Sequence, residues 1–335
     1  MRTMEWMTRR RFLSALAIAL AVIAAPWSAA VAGEPAAKPA FNDVTFFVVS
    51  DAHYGAKPDP KEVKPDVKTD DKNAIKHEAI DRMNALPGQP YPKQVGGGTV
   101  GVPRGVIVPG DLINDGALPV RDQQWADWLA DFKVKGDGRV RWPVYEGIGN
   151  HDLSPTMLVQ NAIRQRNRER PAVTNISSNG LHYSWDWDQL HLVMLNLYPG
   201  DKPDPATHYS PIHNPEGALQ FLKDDLAKNV GTSGRPVILC HHYDLQGSDW
   251  WTETERAAYC EAFKDYNVIG IIHGHTGTGI YKWRGIDVFN VGQLGPTVFV
   301  FHVTPAELTA AQRKSDGAWG FTLRKPITGL KPAEK

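Results

Sequence analysis

Clusters of histidine, aspartate and asparagine recur in this 335-residue sequence, and each directly follows an apolar run. The clusters are Asp51-Ala52-His53, Gly110-Asp111, Gly149-Asn150-His151-Asp152, His241-His242 and His273-Gly274-His275. They hold six of the twelve histidines, so chance placement explains them poorly. Imidazole and carboxylate groups together suit Zn, Fe or Mn, whereas Mg and Ca prefer oxygen ligands alone. The residue types therefore indicate transition-metal chemistry.

The spacing of the acidic residues adds detail to this hypothesis. In an extended chain, Asp51 and His53 point the same way and can hold one ion together. Asp111 is the candidate bridge, because the two oxygens of a carboxylate can hold two ions about 3.5–4 Å apart. Two aspartates and two divalent cations leave a charge of about +2, which attracts a phosphate and acidifies bound water. Hydroxide would then be available without a protein nucleophile.

Strands and helices must position these clusters, and the sequence predicts an α/β fold. Apolar, β-branched runs alternate with helical stretches, as expected of this class. The runs that we predict as strands are 44–50, 106–108, 144–148, 190–197, 237–240 and 268–272. Because the carboxyl ends of strands line the ligand crevice in such sheets, we expect the clusters to converge in space.

Periodicity predicts most of the remaining elements. These are helices over 125–132 and 219–226 and half-buried strands at 183–187 and 280–283. After residue 303 we expect a helix-like piece and then a strand near 318–323. We interpret Cys240, which precedes the histidine pair, as a core residue; whether it pairs with Cys260 stays open.

The first 32 residues are typical of a signal peptide. Arg9-Arg10-Arg11 precedes an apolar run, and Ala30-Val31-Ala32 forms a small-residue cleavage site. The paired arginines resemble a twin-arginine export signal, with an ordinary secretory signal as the alternative. The run is shorter than the roughly 20 apolar residues of a membrane span, so we expect no stable membrane anchor. The predicted location is exported, either periplasmic or secreted.

Composition divides the rest of the chain into a linker, one large domain and a tail. We expect a linker at 33–43, a domain at 44–325 and a tail at 326–335. An insertion at 55–104, rich in Lys, Asp and Pro, contains a predicted helix at 71–86 and a glycine-rich loop, and is a candidate lid over the cleft.

Charge and missing motifs exclude several classes of function. Without residues 1–32 the chain holds 33 basic and 36 acidic side chains, a formal charge of −3. Nucleic-acid binding through bulk positive charge is therefore excluded. The sequence holds neither a Gly-x-Ser-x-Gly elbow nor a Gly-Lys-Ser/Thr phosphate loop. Its oligomeric state cannot be read from these features.

In order and setting, the five clusters resemble the motifs of calcineurin-like metallophosphoesterases, which include purple acid phosphatases and many phosphodiesterases. The resemblance covers about residues 44–293, and Gly149-Asn150-His151-Asp152 is its most specific part. It implies a four-layer α/β/β/α sandwich with a centre of two divalent or trivalent ions, Mn, Fe or Zn. By resemblance, the ligands are Asp51 and His53 for the first metal, Asp111 as the bridge, and Asn150, His241 and His275 for the second. His151 would protonate the leaving oxygen, with Asp152 orienting it.

One position departs from the family pattern. The last motif is usually Gly-His-x-His, but here Gly277 occupies the position of its second histidine. Either that ligand is absent, which weakens the first metal site, or His273 and His275 form the pair, or His273 turns to substitute. His242 would act beside the metal ligands, contact phosphate, or be structural.

The resemblance implies a metal-dependent phosphoric ester hydrolase, and the predicted signal peptide adds that the enzyme is exported. Its substrate would be a small-molecule or lipid phosphate ester, either a monoester or a diester. The alternative is a degenerate member of the family that binds metal or phosphate without turnover, which Gly277 motivates. Tyr243, Trp250 and Trp251 follow the histidine pair and either stack on the substrate or anchor the next helix.

Overall fold

Short buried strands form the centre of the molecule. The computed structural model describes residues 43–56, 72–116, 119–207, 213–247 and 250–327. In chain order the strands are β1 (Val44–Val48), β2 (Val106–Val108), β3 (Val144–Glu146), β4 (Val173–Ile176), β5 (Tyr183–Trp187), β6 (Leu190–Met194), β7 (Val237–Cys240), β8 (Val268–His273), β9 (Gly279–Trp283), β10 (Ile286–Asn290), β11 (Thr297–Val303), β12 (Glu307–Lys314) and β13 (Trp319–Pro326). All six predicted apolar runs thus contain a strand.

Five α-helices lie among the described residues. They are α1 (Ala74–Asn84), α2 (Arg121–Asp131), α3 (Leu158–Glu169), α4 (Ala218–Asp225) and α5 (Glu253–Phe263). A π-helical turn, Leu226–Val230, extends α4. The helices predicted over 125–132 and 219–226 are confirmed, although each is displaced by a few residues.

The strands pair into two sheets. The first has the order β13-β12-β11-β1-β2-β3 and the second the order β4-β5-β6-β7-β8-β10-β9. Strands β1, β2 and β3 run parallel, as do β6, β7, β8 and β10. Parallel strands are buried on both faces, which is why they are recognisable in the sequence as continuous apolar runs.

Three apolar cores separate four layers. Between the sheets, Phe46, Tyr145, Trp185 and Phe301 belong to one core. A second core joins the outer face of the first sheet to α1, α2 and α3, and a third joins the second sheet to α4 and α5. The expected α/β/β/α sandwich is therefore observed.

Two expectations differ from the structure. The helix-like piece predicted after residue 303 is strand β12, because pairing with β11 and β13 on both edges outweighs local helix propensity. The described part of the 55–104 segment packs on the outer face of the first sheet, where Ile80, Met83, Val95 and Val100 are buried. That part is not a lid over the strand ends. Residues 57–71 lie outside the description, as do the predicted signal peptide, nearly all of the linker, and residues 328–335 of the tail.

Both cysteines are free, and Cys240 is buried between the sheets, as predicted. Among the described residues, no helix is both long and apolar enough to cross a membrane.

A buried histidine links β5 and β6 to the end of α4. His191 is completely buried, and its Nδ1 and Nε2 donate to Asp186 and Asp225, each at 2.7 Å. Since carboxylates accept, both ring nitrogens carry protons and the ring is a cation. Burial lowers the pKa of His191, but the two hydrogen bonds outweigh burial and raise the pKa above its usual range.

The raised pKa of His191 predicts pH-dependent stability. Its contribution is complete below about pH 6.5, the pKa of an unfolded-chain histidine, and is lost as pH rises through the folded-state pKa. We expect His191→Gln to lower the free energy of unfolding by about 2 kcal/mol at pH 6 and by less at pH 9, measured by urea denaturation. As a control, His302→Gln, at a half-buried residue whose Nε2 lies 3.3 Å from the exposed Asp43, should cost under about 0.5 kcal/mol at both pH values. An equal loss at both pH values in His191→Gln would contradict a charged ring.

Candidate metal centre

The loops that follow β1, β2, β3, β7 and β8 meet around one buried carboxylate. Asp111, at the end of β2, is 2% exposed. Its Oδ2 lies 3.1 Å from Nε2 of His242 and 3.8 Å from Nε2 of His53. Its Oδ1 accepts the backbone N–H of His151 at 2.9 Å. The predicted convergence of distant clusters is thus observed.

Two groups of possible ligands share Asp111. One consists of His53, Asp111 and His151, and the other of Asp111, His242 and His275; within each group the donor atoms lie within 4.8 Å of one another. Imidazole nitrogen and carboxylate oxygen are the donors that Zn, Fe or Mn prefers. The residues therefore fit two ions, with Asp111 placed to contact both.

Asp51 and Asn150 complete the surroundings of these groups. Oδ1 of Asp51 lies 3.9 Å from Nε2 of His53, and both oxygens of Asp51 accept the backbone N–H of His275 at 3.1 Å. Oδ1 of Asn150 lies 3.1 Å from Nε2 of His242. Asp51 thus lies beside the first group and Asn150 beside the second, the groups to which the family resemblance assigns them.

The backbone is strained at four of these residues. Asp51, His53, Asp111 and His275 have φ values of 47°, 44°, 54° and 69°, in the left-handed region that side chains other than glycine rarely adopt. Such conformations cost on the order of 1–3 kcal/mol each and concentrate at functional sites. The surrounding contacts must therefore hold the loops in place.

Two glycines allow the loops to approach each other. A β-carbon at Gly149 would collide with the backbone and side chain of Asp111, and one at Gly274 would collide with Ser50 and Asp51. A side chain at either position would push a candidate ligand out of the cluster.

Burial and opposite charges set the protonation of the cluster. Burial alone would raise the pKa of Asp111, but His242 outweighs burial and lowers that pKa below its usual range. Burial opposes a charge on His242, yet Asp111 raises the pKa of His242 to about 9. Burial lowers the pKa of His53 to about 4 and that of His275 to about 3, and raises that of Asp51 to about 6. His53 and His275 are therefore neutral at pH 7, the form that binds metals.

The structure corrects the assignment of the histidine pair. His241 points away from Asp111 into the helical side of the second sheet, where its ring lies 5.5 Å from Tyr259 and 5.8 Å from Trp251. Burial holds its pKa well below the usual range. The residue that reaches Asp111 is His242. Cys240 faces the core between the sheets, so strand alternation places His241 outward and His242 inward.

His273 does not take the position of the missing last histidine. Its ring is buried, with Nδ1 donating to the carbonyl of Gly274 at 2.7 Å and Nε2 lying 2.8 Å from the hydroxyl of Tyr281. Burial lowers its pKa to about 4. Gly277 has open space around it, with no atom within 4 Å of a β-carbon built there. Of the expected alternatives, an absent ligand fits the structure.

The expected pairing of His151 with Asp152 differs from the contacts observed. Nδ1 of His151 donates to the carbonyl of Asn114 at 2.6 Å, which orients the ring. Asp152 instead accepts backbone N–H groups from Leu112, Ile113 and Gly149 at 2.8–3.0 Å. Burial and the charge of Asp111 raise the pKa of Asp152 to about 8. Asp152 therefore ties the loop after β2 to the loop after β3.

Sequence reasoning missed Asn196, which holds two ligand loops together. Its Oδ1 accepts the backbone N–H of Ile148 at 3.0 Å, before the third cluster, and its carbonyl accepts the N–H of His242 at 2.7 Å. Its φ of 59° is one that asparagine tolerates better than most residues. The feature of the sequence that could have indicated Asn196 is its position at the end of the predicted strand at 190–197.

A cavity of about 260 Å³ opens beside this cluster. Its lining includes Asp51, His53, His275, Gly277 and Gln293. Both ligand groups contribute to the lining, so a small anion entering the cavity would reach both.

A two-sheet sandwich that gathers histidine and aspartate at its strand ends is the architecture of metallophosphoesterases. Residues 44–278 match the calcineurin-like phosphoesterase family, which is well over half of the chain. The chain belongs to this family, and the resemblance seen in its motifs is confirmed. No curated protein matches it.

Several solved structures are similar to this chain at low sequence identity. GAP50, described as the anchor in the inner membrane complex of Plasmodium, has a TM-score of 0.55 and 13% identity, over 86% of this chain and 90% of that chain. Vacuolar Protein Sorting 29 of Cryptosporidium parvum has a TM-score of 0.36 and 10% identity, over 85% and 98% of the two chains. A predicted phosphoesterase of Streptococcus pneumoniae has a TM-score of 0.34 and 11% identity, over 86% and 99%. Of these, GAP50 supports the shared fold.

The corrected assignment predicts opposite effects for the two neighbouring histidines. His242→Phe should lose about one metal ion per chain, because it removes a nitrogen beside Asp111. His241→Phe should keep the full metal content and unfold at an equal or higher temperature, because both ring nitrogens of His241 lack a hydrogen-bond partner. Elemental analysis after reconstitution with Mn²⁺ and thermal unfolding measure both effects. Loss of metal from His241→Phe alone would restore His241 as the ligand.

Proposed function

We propose that this protein is a metal-dependent phosphoesterase that hydrolyses phosphoric esters at the cluster around Asp111. The observation that carries the proposal is the sharing of Asp111 by two ligand groups, His53 with His151 and His242 with His275. Export, predicted from residues 1–32, remains part of the proposal and is supported by the arginine motif and the apolar run after it.

Different residues of this chain would hold the two metal ions. Asp51, His53 and Asp111 would hold the first ion, and Asp111, Asn150, His242 and His275 the second. When bound, two such ions supply Lewis acidity for the phosphoryl oxygens and lower the pKa of water. The buried charge of Asp111 and the neutral rings of His53 and His275 keep these three donors ready at neutral pH, whereas His242, whose pKa Asp111 raises to about 9, would release its proton when an ion binds.

His151 is the proposed proton donor to the leaving oxygen. Its ring is fixed by the bond from Nδ1 to Asn114, which leaves Nε2 for proton transfer. The residue is exposed, and its ring lies edge-on to His53 with 4.6 Å between centroids. A substrate bound at the cluster can therefore reach it, as general acid catalysis requires.

The first test is turnover with a matched inactive variant. We expect the Mn²⁺-reconstituted protein to hydrolyse an aryl phosphate monoester, an aryl phosphate diester, or both, and the comparison of rates assigns the substrate type. Asp111→Asn should lose affinity for both ions and on the order of 10³-fold or more in kcat, because a neutral amide bridges cations poorly. Full activity in Asp111→Asn would contradict the shared ligand.

A second test separates an acid from a ligand at residue 151. We expect His151→Ala to keep its metal content and to slow alkyl phosphates, which are poor leaving groups, by about 10²–10³-fold. Nitrophenyl esters should slow much less, since their leaving group needs no proton. Equal slowing of both esters would exclude the acid role, and loss of an ion would make His151 a ligand.

A second candidate function is binding of metal or phosphate without turnover. Gly277 favours it, because the first ligand group lacks the usual last histidine. GAP50, which shares the fold, is described as an anchor. Bound metal with no hydrolysis of either ester would support this function.

A further inference from the structure

The orientation of the His151 ring depends on one peptide group. Nδ1 of His151 donates to the carbonyl of Asn114 at 2.6 Å, and this carbonyl belongs to the peptide that joins Asn114 to Asp115. The N–H of the same peptide, on Asp115, donates to Oε1 of Gln124 at 2.9 Å. Because a trans peptide is planar, with its N–H and carbonyl on opposite sides, the two hydrogen bonds continue one another. Gln124 thus lies one hydrogen bond behind the group that holds the proposed proton donor.

The side chain of Gln124 is itself held in place. It is 7% exposed and lies near the start of α2, which packs on the first sheet through Trp125 and Trp128. Its Oε1 also accepts the backbone N–H of Asn114 at 3.0 Å, which the carbonyl of Tyr54 shares at 3.1 Å. Two N–H donors converge on this atom, so it is the amide oxygen. A buried helix therefore presents a fixed acceptor to the loop after β2.

Gln124 also touches the loop after β1. Gly55 follows the first cluster, and a β-carbon built on Gly55 would lie only 2.5 Å from Cγ of Gln124. Gln124 thus meets the loop after β1 directly and holds the loop after β2 by its hydrogen bonds. Through the carbonyl of Asn114 it also acts on His151 in the loop after β3.

The restraint matters because His151 is exposed, so that packing restricts its ring little. A general acid must lie within hydrogen-bond reach of the oxygen that takes its proton. An exposed ring that turns freely would have this position only part of the time.

We propose that Gln124 positions the His151 imidazole for proton transfer to the leaving oxygen. This inference rests on the proposed function, because it names a residue that serves the same proton donor. A hydrogen bond to the N–H of a peptide polarises its carbonyl, and bonds in such a chain strengthen one another. The Asn114 carbonyl then keeps the Nδ1 proton of His151 in place and leaves Nε2 for the substrate.

The first test removes the acceptor and keeps the length of the side chain. We expect Gln124→Met to keep its metal content and to slow alkyl phosphates about tenfold in kcat, since a hydrogen bond that orients the acid is lost. Nitrophenyl esters should slow less than about twofold, because their leaving group needs no proton. KM should change little, since the phosphate binds at the cluster. Gln123→Met is the matched control, at an exposed neighbour whose Nε2 donates to Asp127, and should change neither rate.

Gln124→Glu distinguishes the hydrogen bond from packing. A carboxylate of the same length accepts the same two N–H groups, so this variant should recover most of the alkyl phosphate rate that Gln124→Met loses. Three results would overturn the inference: equal slowing of both ester types in Gln124→Met, loss of an ion from Gln124→Met, or a Gln124→Glu variant no faster than Gln124→Met with alkyl phosphates.

A measurement on the His151 ring separates this inference from the proposed function. Nitrogen-15 NMR of the Zn²⁺-loaded protein, at a pH where the ring is neutral, shows which nitrogen carries the proton and needs no turnover. His151→Gln assigns the signals. We expect the Nδ1–H tautomer in the unchanged protein and a mixture of tautomers in Gln124→Met, which would support the positioning role even without activity.

Two outcomes of the same measurement would reject the role even in an active enzyme. One is an identical His151 signal in the unchanged protein and in Gln124→Met. The other is the Nε2–H tautomer in the unchanged protein, a result that does not depend on whether any variant of Gln124 folds.

Discussion

The contact between Asp111 and His242 joins the two halves of the candidate centre, because one residue follows a strand of the first sheet and the other a strand of the second. A buried carboxylate without compensation would cost several kcal/mol. Here the His242 ring, the backbone N–H of His151 and the nearby His53 surround it. The same convergence that makes the buried charge tolerable makes Asp111 available to two ligand groups. Packing of the two sheets and assembly of the site are therefore one structural requirement.

The loops that achieve this are strained, and they are held in place by residues that offer no ligand atom to the candidate centre. Asp152 receives three backbone N–H groups from two loops, and Asn196 connects the strand end before the third cluster to the backbone of His242. Each contact lies completely inside the protein, where hydrogen bonds are strong and costly to lose. Left-handed φ values at Asp51 and Asp111 can persist because these hydrogen bonds leave the loops few alternative conformations. Preorganisation of the centre thus depends on residues that sequence motifs assign to other roles or overlook.

The sequence predicted what is encoded locally. Buried parallel strands are continuous apolar runs, so their positions and the polar clusters at their ends were legible, and with them the shared carboxylate Asp111. Contacts between distant parts of the chain were not predictable in this way. Whether His241 or His242 faces the centre depends on the direction in which β7 alternates, and the core position of Cys240 fixes that direction. Strand β12 was predicted as helical because its pairing with β11 and β13 is a long-range contact that its own residues do not encode. His213 lies in the loop before α4 and stacks on Trp250 with 5.8 Å between ring centroids, and nothing near His213 in the sequence indicates this contact.

The two ligand groups are unequal, and Gly277 makes them so. His242 is completely buried, whereas the side chain of His53 is 13% exposed and His151 is exposed. Packing does not require a glycine at position 277, since a β-carbon built there would have no atom within 4 Å. The φ of 46° at this position does favour glycine. A histidine in that space would bring another nitrogen towards Asp51 and His53 and would narrow the cavity that reaches them. Without a histidine at position 277 the first group stays open to the cavity, whereas His242 of the second group is completely buried.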